Sequence, residues 1–190
     1  MEVFDNILTP KLFSRLEEII TSWRFPWFYN RTTFPDIEDE NFFLRGWSHV
    51  ALIEHENFQS PMYNDMETII ISALENANQD FKKIIRVRVN CNTASDKPYE
   101  SAPHVDSHNP HKTALLYIND SDGPTNIYNE LYDESLNIPV PDYYKHINLT
   151  LADSVLPKRN RLVCFNGLHL HSGVTPVKTA RRMLININYI

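Results

Sequence analysis

The sequence predicts a mainly β protein: an antiparallel sandwich or jelly roll with helices packed on one face. Three observations carry this expectation. Apolar residues recur at helical spacing only before Phe81. After it come short β-branched segments with a period of two, separated by turn formers. No helical stretch alternates with these strands, which argues against a doubly wound parallel sheet.

The elements follow in order. Thr9-Pro10 supplies an N-cap and a first-turn proline, and KLFSRLEEIITSW places Leu12, Leu16, Ile19 and Ile20 on one helical face. Residues 24–59 are rich in aromatics and turn formers and have no clean period. A second helix is expected from about residue 60 to 78: Pro61 stands at its start, and Met62, Met66, Ile69, Ile70 and Ala73 recur at helical spacing. KIIRVRVNCN and KTALLYIND read as strands, SDGPT as a turn, and TNIYNE as a third strand. Residues 131–156 are polar and proline-punctuated, the character of a lid or substrate-binding loop. NRLVCFNG is a further strand, HLHSGVTPV follows it, and RRMLININYI ends the chain as a strand. There is no internal repeat and no low-complexity segment.

A length of 190 residues suits one domain, able to bury roughly 70% of its unfolded surface. The net charge of −6 argues against nucleic acid as the main partner, since a dedicated binder carries a basic face. No apolar run reaches the about 18 residues of a membrane span, so no membrane partner is expected. MEVFDNILTPKLF lacks the basic-then-apolar pattern of a secretion signal. Cys91 and Cys164, the two cysteines, lie in apolar strand-like runs and read as buried free thiols in a reducing, cytoplasmic setting.

The chemistry concentrates in SAPHVDSHNPH. In His104-Val105-Asp106 the first and third residues of an extended chain point to one side, so an imidazole and a carboxylate converge while Val105 faces away. A third donor is available in FNGLHLHSGVTPV, where His169 and His171 are also two apart and both can face inward. Two histidines and one carboxylate make a facial triad with open positions, which suits non-haem Fe(II) oxygenase chemistry. A co-substrate with a carboxylate tail needs an anchor. Arg181 and Arg182 open the last strand, and arginine grips a carboxylate through two parallel hydrogen bonds.

HxD, a distal histidine, and an arginine about ten residues later together resemble the Fe(II)- and 2-oxoglutarate-dependent dioxygenases, in particular the prolyl 4-hydroxylase-like branch with its small phage and bacterial relatives. IIRVRVN resembles the strand before the metal motif, and HVD the motif itself. TALLYINDSDGPTNIY resembles the family's strand–turn–strand, with DGPT where a Gly-Gly-x-Thr turn usually stands. PKRNRLVCFNGLHLHSGVTPV resembles the stretch with the distal histidine, and RRMLINI the co-substrate strand. FDNILTPKLFSRLEEII is similar to the N-terminal helix entry. The resemblance covers most of residues 84–190 and, less fully, residues 3–20.

It implies a double-stranded β-helix with helices packed on one sheet. Residues 1–190 then form one domain, with 1–80 a mostly helical support and 81–190 the jelly-roll catalytic core. It implies Fe(II), 2-oxoglutarate and dioxygen, with ascorbate in support. 2-Oxoglutarate is decarboxylated to succinate while an unactivated C–H bond is hydroxylated in a prolyl or other peptide residue, or in a small molecule. His104, Asp106 and the distal histidine are then the metal ligands, and Arg182, Asn90 and Tyr117 hold the co-substrate. Thr125 reads as structural.

Two choices stay open. His171 fits the family's spacing to the proline-valine pair better than His169, which is left as a pocket-wall residue. Counting from Pro176 the basic residue falls on Arg182; counting from His171, Arg181 comes out equally well. If Arg182 faces in, Leu184, Asn186 and Asn188 face in with it, and Met183, Ile185, Ile187 and Tyr189 pack under the helices. His108 and His111 lie beyond the turn SHNP and read as solvent- or substrate-facing loop residues. Tyr132, Tyr143, Tyr144, His146 and Trp47 are candidates for a substrate groove or for core. Two rival readings are a cupin-type metal enzyme, recruiting His108, His169 or Glu130, and a non-catalytic jelly-roll binding protein.

Overall fold

Thr9 and Ser60 each open a helix followed by proline, because a hydroxyl can satisfy an amide that the first turn leaves without a partner. Thr9 Oγ1 accepts from Leu12 N at 3.4 Å and starts α1 (Pro10–Thr21). Ser60 Oγ accepts from Met62 N at 3.2 Å and starts α2 (Pro61–Asn76). The structure, a computed structural model, describes residues 1–30, 46–136 and 143–190. Parts of the aperiodic stretch 24–59 and of the expected lid 131–156 lie outside those residues.

The described strands are β1 (Glu2–Asp5), β2 (Phe28–Asn30), β3 (Gly46–Ile53), β4 (Phe58–Gln59), β5 (Ile84–Thr93), β6 (Lys112–Tyr117), β7 (Thr125–Leu131), β8 (Leu151–Val155), β9 (Arg161–Asn166), β10 (His169–Gly173) and β11 (Arg181–Tyr189). An antiparallel sheet of eight strands runs β1-β9-β6-β11-β5-β3-β2, with β4 beside β3. A second, three-stranded sheet runs β10-β7-β8. These are the two antiparallel sheets of a jelly roll.

Alternation along the strands sorts side chains between two environments. Met183, Ile185, Ile187 and Tyr189 of β11 join Val87, Val89, Ala114, Leu116, Leu162 and Cys164 on one face of the large sheet. Phe13, Leu16 and Ile20 of α1 and Met66, Ile70 and Leu74 of α2 cover that face. The opposite face holds Leu115, Tyr117, Val163, Phe165 and Leu184, which meet Ile127 and Val155 of the small sheet. Arg182, Asn186 and Asn188 share that inner face, as an inward Arg182 requires.

Five strands, β1 to β4 and β8, have no clear signature in the sequence; β2 and β4 are only three and two residues long within the aperiodic stretch. β3 is buried or half-buried on both faces, and its register shifts between Val50 and Leu52, so no clean period of two survives. β1 and β8 are short edge strands with mostly exposed side chains. Partners rather than burial hold them: Arg161 Nε donates to Asp5 Oδ1 at 2.7 Å from the strand next to β1. β8 falls inside the segment expected to be a lid. Cys91 and Cys164 are free; Cys91 is half-buried rather than buried, and burial pushes the Cys164 thiol up to about 12. No described helix is long and apolar enough to cross a membrane.

Leu16 is fully buried, so Leu16→Ala is expected to lower unfolding free energy by about 2–5 kcal/mol in chemical denaturation. Trp23, 87% exposed at the end of α1, is expected to tolerate alanine within about 0.5 kcal/mol. Equal losses at the two positions would contradict this packing.

Candidate functional site

The segment between β5 and β6 pairs at two isolated points with β10 and the residue after it, His104 opposite His171 and Glu100 opposite Val174. At the first point the backbones exchange both hydrogen bonds, His104 N to His171 O at 3.0 Å and His171 N to His104 O at 2.9 Å. Residues paired this way carry their side chains on the same face. The two imidazoles accordingly lie 4.7 Å apart between ring centroids.

Asp106 follows two residues later. His171 Nε2 lies 3.7 Å from Asp106 Oδ2, and candidate donor atoms of His104, Asp106 and His171 all fall within 4.8 Å of one another. It is the one such group of three or more donors among the described residues. Val105 points away, into a cluster with Tyr143 and Leu170.

Each imidazole is fixed through its other nitrogen. His104 Nδ1 donates to Ala102 O and His171 Nδ1 to His169 O, both at 3.1 Å. A carbonyl can only accept, so each Nδ1 carries a proton; in the neutral ring this leaves the lone pair on Nε2, the tautomer a metal ligand needs.

The Asp106 side chain is 4% exposed and surrounded by donors. Oδ1 accepts from Arg86 Nη1 at 2.9 Å, and Oδ2 accepts from Nδ2 of Asn186 at 2.9 Å and of Asn188 at 3.0 Å. Burial alone would raise its pKa; the Arg86 guanidinium, with the Asn188 amide, outweighs this and holds the carboxyl well below its ordinary range. Burial, and then the neighbouring His171, push His104 down to about 3. At neutral pH the site therefore holds an ionised carboxylate and a neutral His104, both in ligand form.

These groups open onto a cavity of about 240 Å³. β5 lines it with Arg86, Arg88, Asn90 and Asn92, and β11 with Arg182, Leu184 and Asn186. Arg182 is 5% exposed, whereas Arg181 faces outward. Arg182 Nε donates to Gly123 O at 2.9 Å and Nη2 to Thr125 Oγ1 at 2.5 Å, while the guanidinium lies over the Tyr117 ring. None of these partners bears a negative charge. A buried guanidinium with neutral partners is a ready anchor for a carboxylate.

The turn DGPT positions this anchor. Any Cβ at Gly123 would collide with the Val174 carbonyl, so glycine is required where the turn crosses the segment after β10. Asp122 accepts from the amides of Val177, Lys178 and Thr179 at 3.1, 2.9 and 3.0 Å, pinning the loop that leads into β11.

The remaining candidates separate. Asn90 lines the cavity, as does Trp47. Tyr117 is fully buried, and its hydroxyl pairs with Thr125 Oγ1 at 2.6 Å, so it reaches Arg182 through Thr125 as well as through its ring. Thr125 itself lies on the cavity wall. His169 does not turn inward with His171: a bulge separates them in β10, and His169 Nδ1 donates to Tyr128 O at 2.8 Å. His108 is exposed against the Tyr132 ring. His111 is a correction to the loop reading: it is 6% exposed, packed where a side chain at position 167 would otherwise sit, with Gly167 N donating to its carbonyl at 2.9 Å. Tyr143 is core, Tyr144 half-buried and His146 exposed. Glu130 accepts from Thr150 N at 2.9 Å and stays outside the donor group.

Arg86 and Arg88 are the site residues that motif reasoning missed. Their signal lies in IIRVRVNCN, where Arg86, Arg88, Asn90 and Asn92 occupy one face. The register pairs them with Asn188, Asn186, Leu184 and Arg182. The polar side of this strand faces the cavity, not water.

No family model matches the chain, and no curated protein matches it. Solved structures do. A prolyl hydroxylase from Trichoplax adhaerens, in complex with a hypoxia-inducible-factor peptide fragment, is 16% identical; the match covers 100% of this chain and 82% of that one, with a TM-score of 0.55. A 2OG-Fe(II) oxygenase family oxidoreductase from Burkholderia pseudomallei is 8% identical over 97% of this chain and 81% of that one, with a TM-score of 0.65. HygX from Streptomyces hygroscopicus, with nickel and 2-oxoglutarate bound, is 13% identical over 98% of this chain and 81% of that one, with a TM-score of 0.58. The chain is thus similar in fold to structures of 2-oxoglutarate-dependent oxygenases.

Proposed function

We propose that this protein is an Fe(II)- and 2-oxoglutarate-dependent oxygenase that hydroxylates an unactivated C–H bond of a peptide or small-molecule substrate. The observation that carries the proposal is the His104–Asp106–His171 group opening onto the same cavity as the buried, uncompensated Arg182. Two imidazoles and a carboxylate on one side of a metal leave positions for a chelating co-substrate and dioxygen. When bound, the iron supplies the redox chemistry that couples decarboxylation of 2-oxoglutarate to oxidation of the substrate.

The chain's own residues do the positioning. Nε2 of His104 and of His171 and a carboxylate oxygen of Asp106 hold the metal, with both Nδ1 atoms tied to main-chain carbonyls. Arg86, Asn186 and Asn188 orient Asp106 and partly neutralise it. Arg182, braced by Gly123, Thr125 and Tyr117, takes the distal carboxylate of 2-oxoglutarate, and Asn90 contributes from the adjoining wall.

Purified protein with Fe(II), ascorbate and 2-oxoglutarate is expected to release succinate. His104→Ala and Asp106→Ala should each abolish turnover and weaken metal binding at least 10- to 100-fold, whereas His169→Ala should keep metal affinity within a few-fold. Arg182→Gln should raise the KM for 2-oxoglutarate by about 100-fold through the lost charge-assisted pair, with metal affinity kept. No succinate, together with unchanged metal binding in His104→Ala, would sink the proposal.

A metal-free test uses the imidazole itself. In the unfolded chain His104 takes up a proton near pH 6.5, whereas in the folded chain it resists down to about 3. Between these values the unfolded state binds the extra proton, so stability is lost as pH falls, by about 1.4 kcal/mol per pH unit for this residue. Asp106 adds to the loss only below about pH 4, where its unfolded-state carboxylate begins to protonate. His104→Gln should flatten the stability profile between about pH 6 and 4 by close to one proton; an unchanged slope would show that His104 is not buried in neutral form.

A further inference from the structure

We propose that Arg88 forms a second anion subsite in the cavity, one that binds a carboxylate or phosphate group of the substrate, distinct from the Arg182 anchor. The inference rests on the oxygenase reading for what occupies the rest of the cavity.

Charge is the first argument. Among the described residues, three guanidinium groups line the cavity, Arg86, Arg88 and Arg182, against one carboxylate, Asp106. Arg86 is paired with Asp106 at 2.9 Å. Two positive charges are left over, and a bound dication with a dicarboxylate co-substrate leaves that excess unchanged. Arg182 is matched by the distal co-substrate carboxylate. Arg88 has no carboxylate within ion-pair distance among the described residues. Its Nη2 donates to Ser48 Oγ at 3.0 Å, and its buried Nε meets no acceptor. Native structures rarely leave a buried guanidinium N–H without a partner, and such a group is a reason to look for a ligand.

Placement is the second argument. Arg88 pairs in register with Asn186 of β11 on one side and Val50 of β3 on the other. Its contact with Ser48 draws the guanidinium toward β3, away from the strand that carries Arg182. Arg182 pairs with Asn92, four residues further along β5, a separation of roughly 13 Å along the strand. The two guanidinium groups are held by different partners, Arg182 by Gly123 and Thr125 and Arg88 by Ser48. Asn30 Nδ2 also donates to Ser48 Oγ at 2.8 Å, so with both lone pairs taken the Ser48 hydroxyl can only donate. Arg88 and the side-chain amides of Asn30 and Asn90 line the cavity beside His104 and Asp106, with Ser48 bracing Arg88 from behind, and an oxyanion is an acceptor that suits the unpaired Nε. The substrate is thereby assigned a negatively charged group near the bond that reacts.

The test is a binding titration of intact protein loaded with Fe(II) and saturating 2-oxoglutarate in the absence of oxygen. Acetate and methyl phosphate are the probes, acetamide is the neutral control, and calorimetry or amide chemical shifts give the readout. At least one anion should bind saturably and acetamide should not; the tighter anion tells a carboxylate-bearing substrate from a phosphorylated one. Arg88→Gln should weaken that binding at least tenfold while changing 2-oxoglutarate affinity less than threefold. Arg88→Lys, which keeps the charge but loses the fork, should weaken it several-fold, and it serves as the variant if glutamine disturbs folding. Absence of anion binding in the wild type, equal binding by wild type and both variants, or loss of 2-oxoglutarate instead of the second anion would each overturn the proposal. If wild type fails to bind 2-oxoglutarate yet binds an anion dependent on Arg88 and not on Arg182, the oxygenase reading fails and the anion subsite stands.

Discussion

The backbone bridge between His104 and His171 is the contact on which the rest of the site depends. Two hydrogen bonds between segments distant in sequence set two imidazoles side by side. The same pairing carries the chain on to Asp106 at the distance needed to complete a three-donor group. Backbone pairing is a rigid means of placing side chains, since it fixes Cβ positions before any rotamer is chosen. The carbonyls of Ala102 and His169 then fix the ring tautomers. The ligand geometry is thus set by main-chain atoms, which side-chain substitution leaves in place.

Around this bridge the large sheet divides its two faces by function. Its helix-covered face is mainly apolar and supplies most of the core, with His49 buried there against Ser60. Its inner face is apolar toward β6 and β9 and polar toward β5 and β11. Arginines and asparagines inside a jelly roll carry a desolvation penalty unless they find partners. Arg86, Asn186 and Asn188 find theirs in Asp106, and Asp106 is held ionised by them. Among the described residues, Arg182 and Arg88 find only neutral acceptors. An anion bound in the cavity would balance that excess.

Much of this was legible in the chain itself. The spacing of His104 and Asp106, the choice of His171, and the inward facing of Asn186 and Asn188 with Arg182 follow from strand periodicity and ordered motifs. What escaped has physical causes. β3 is hidden by a bulge and by burial on both faces, and β8 by its exposed edge position. His169 was open as a rival because periodicity alone cannot show a bulge between it and His171. The burial of His111 depends on the missing side chain of Gly167, a contact between residues far apart in sequence. Arg86 and Arg88 sat in plain view, but a polar strand face is normally read as facing water.

The central claim is that His104, Asp106 and His171 together hold one divalent iron. X-ray absorption at the iron edge, on oxygen-free protein loaded with one equivalent of Fe(II), tests it most directly. The account predicts two imidazole nitrogens and a carboxylate oxygen in the first shell, with one imidazole lost in His171→Ala and neither lost in His169→Ala. A first shell containing sulfur, or one unchanged in His171→Ala, would contradict it.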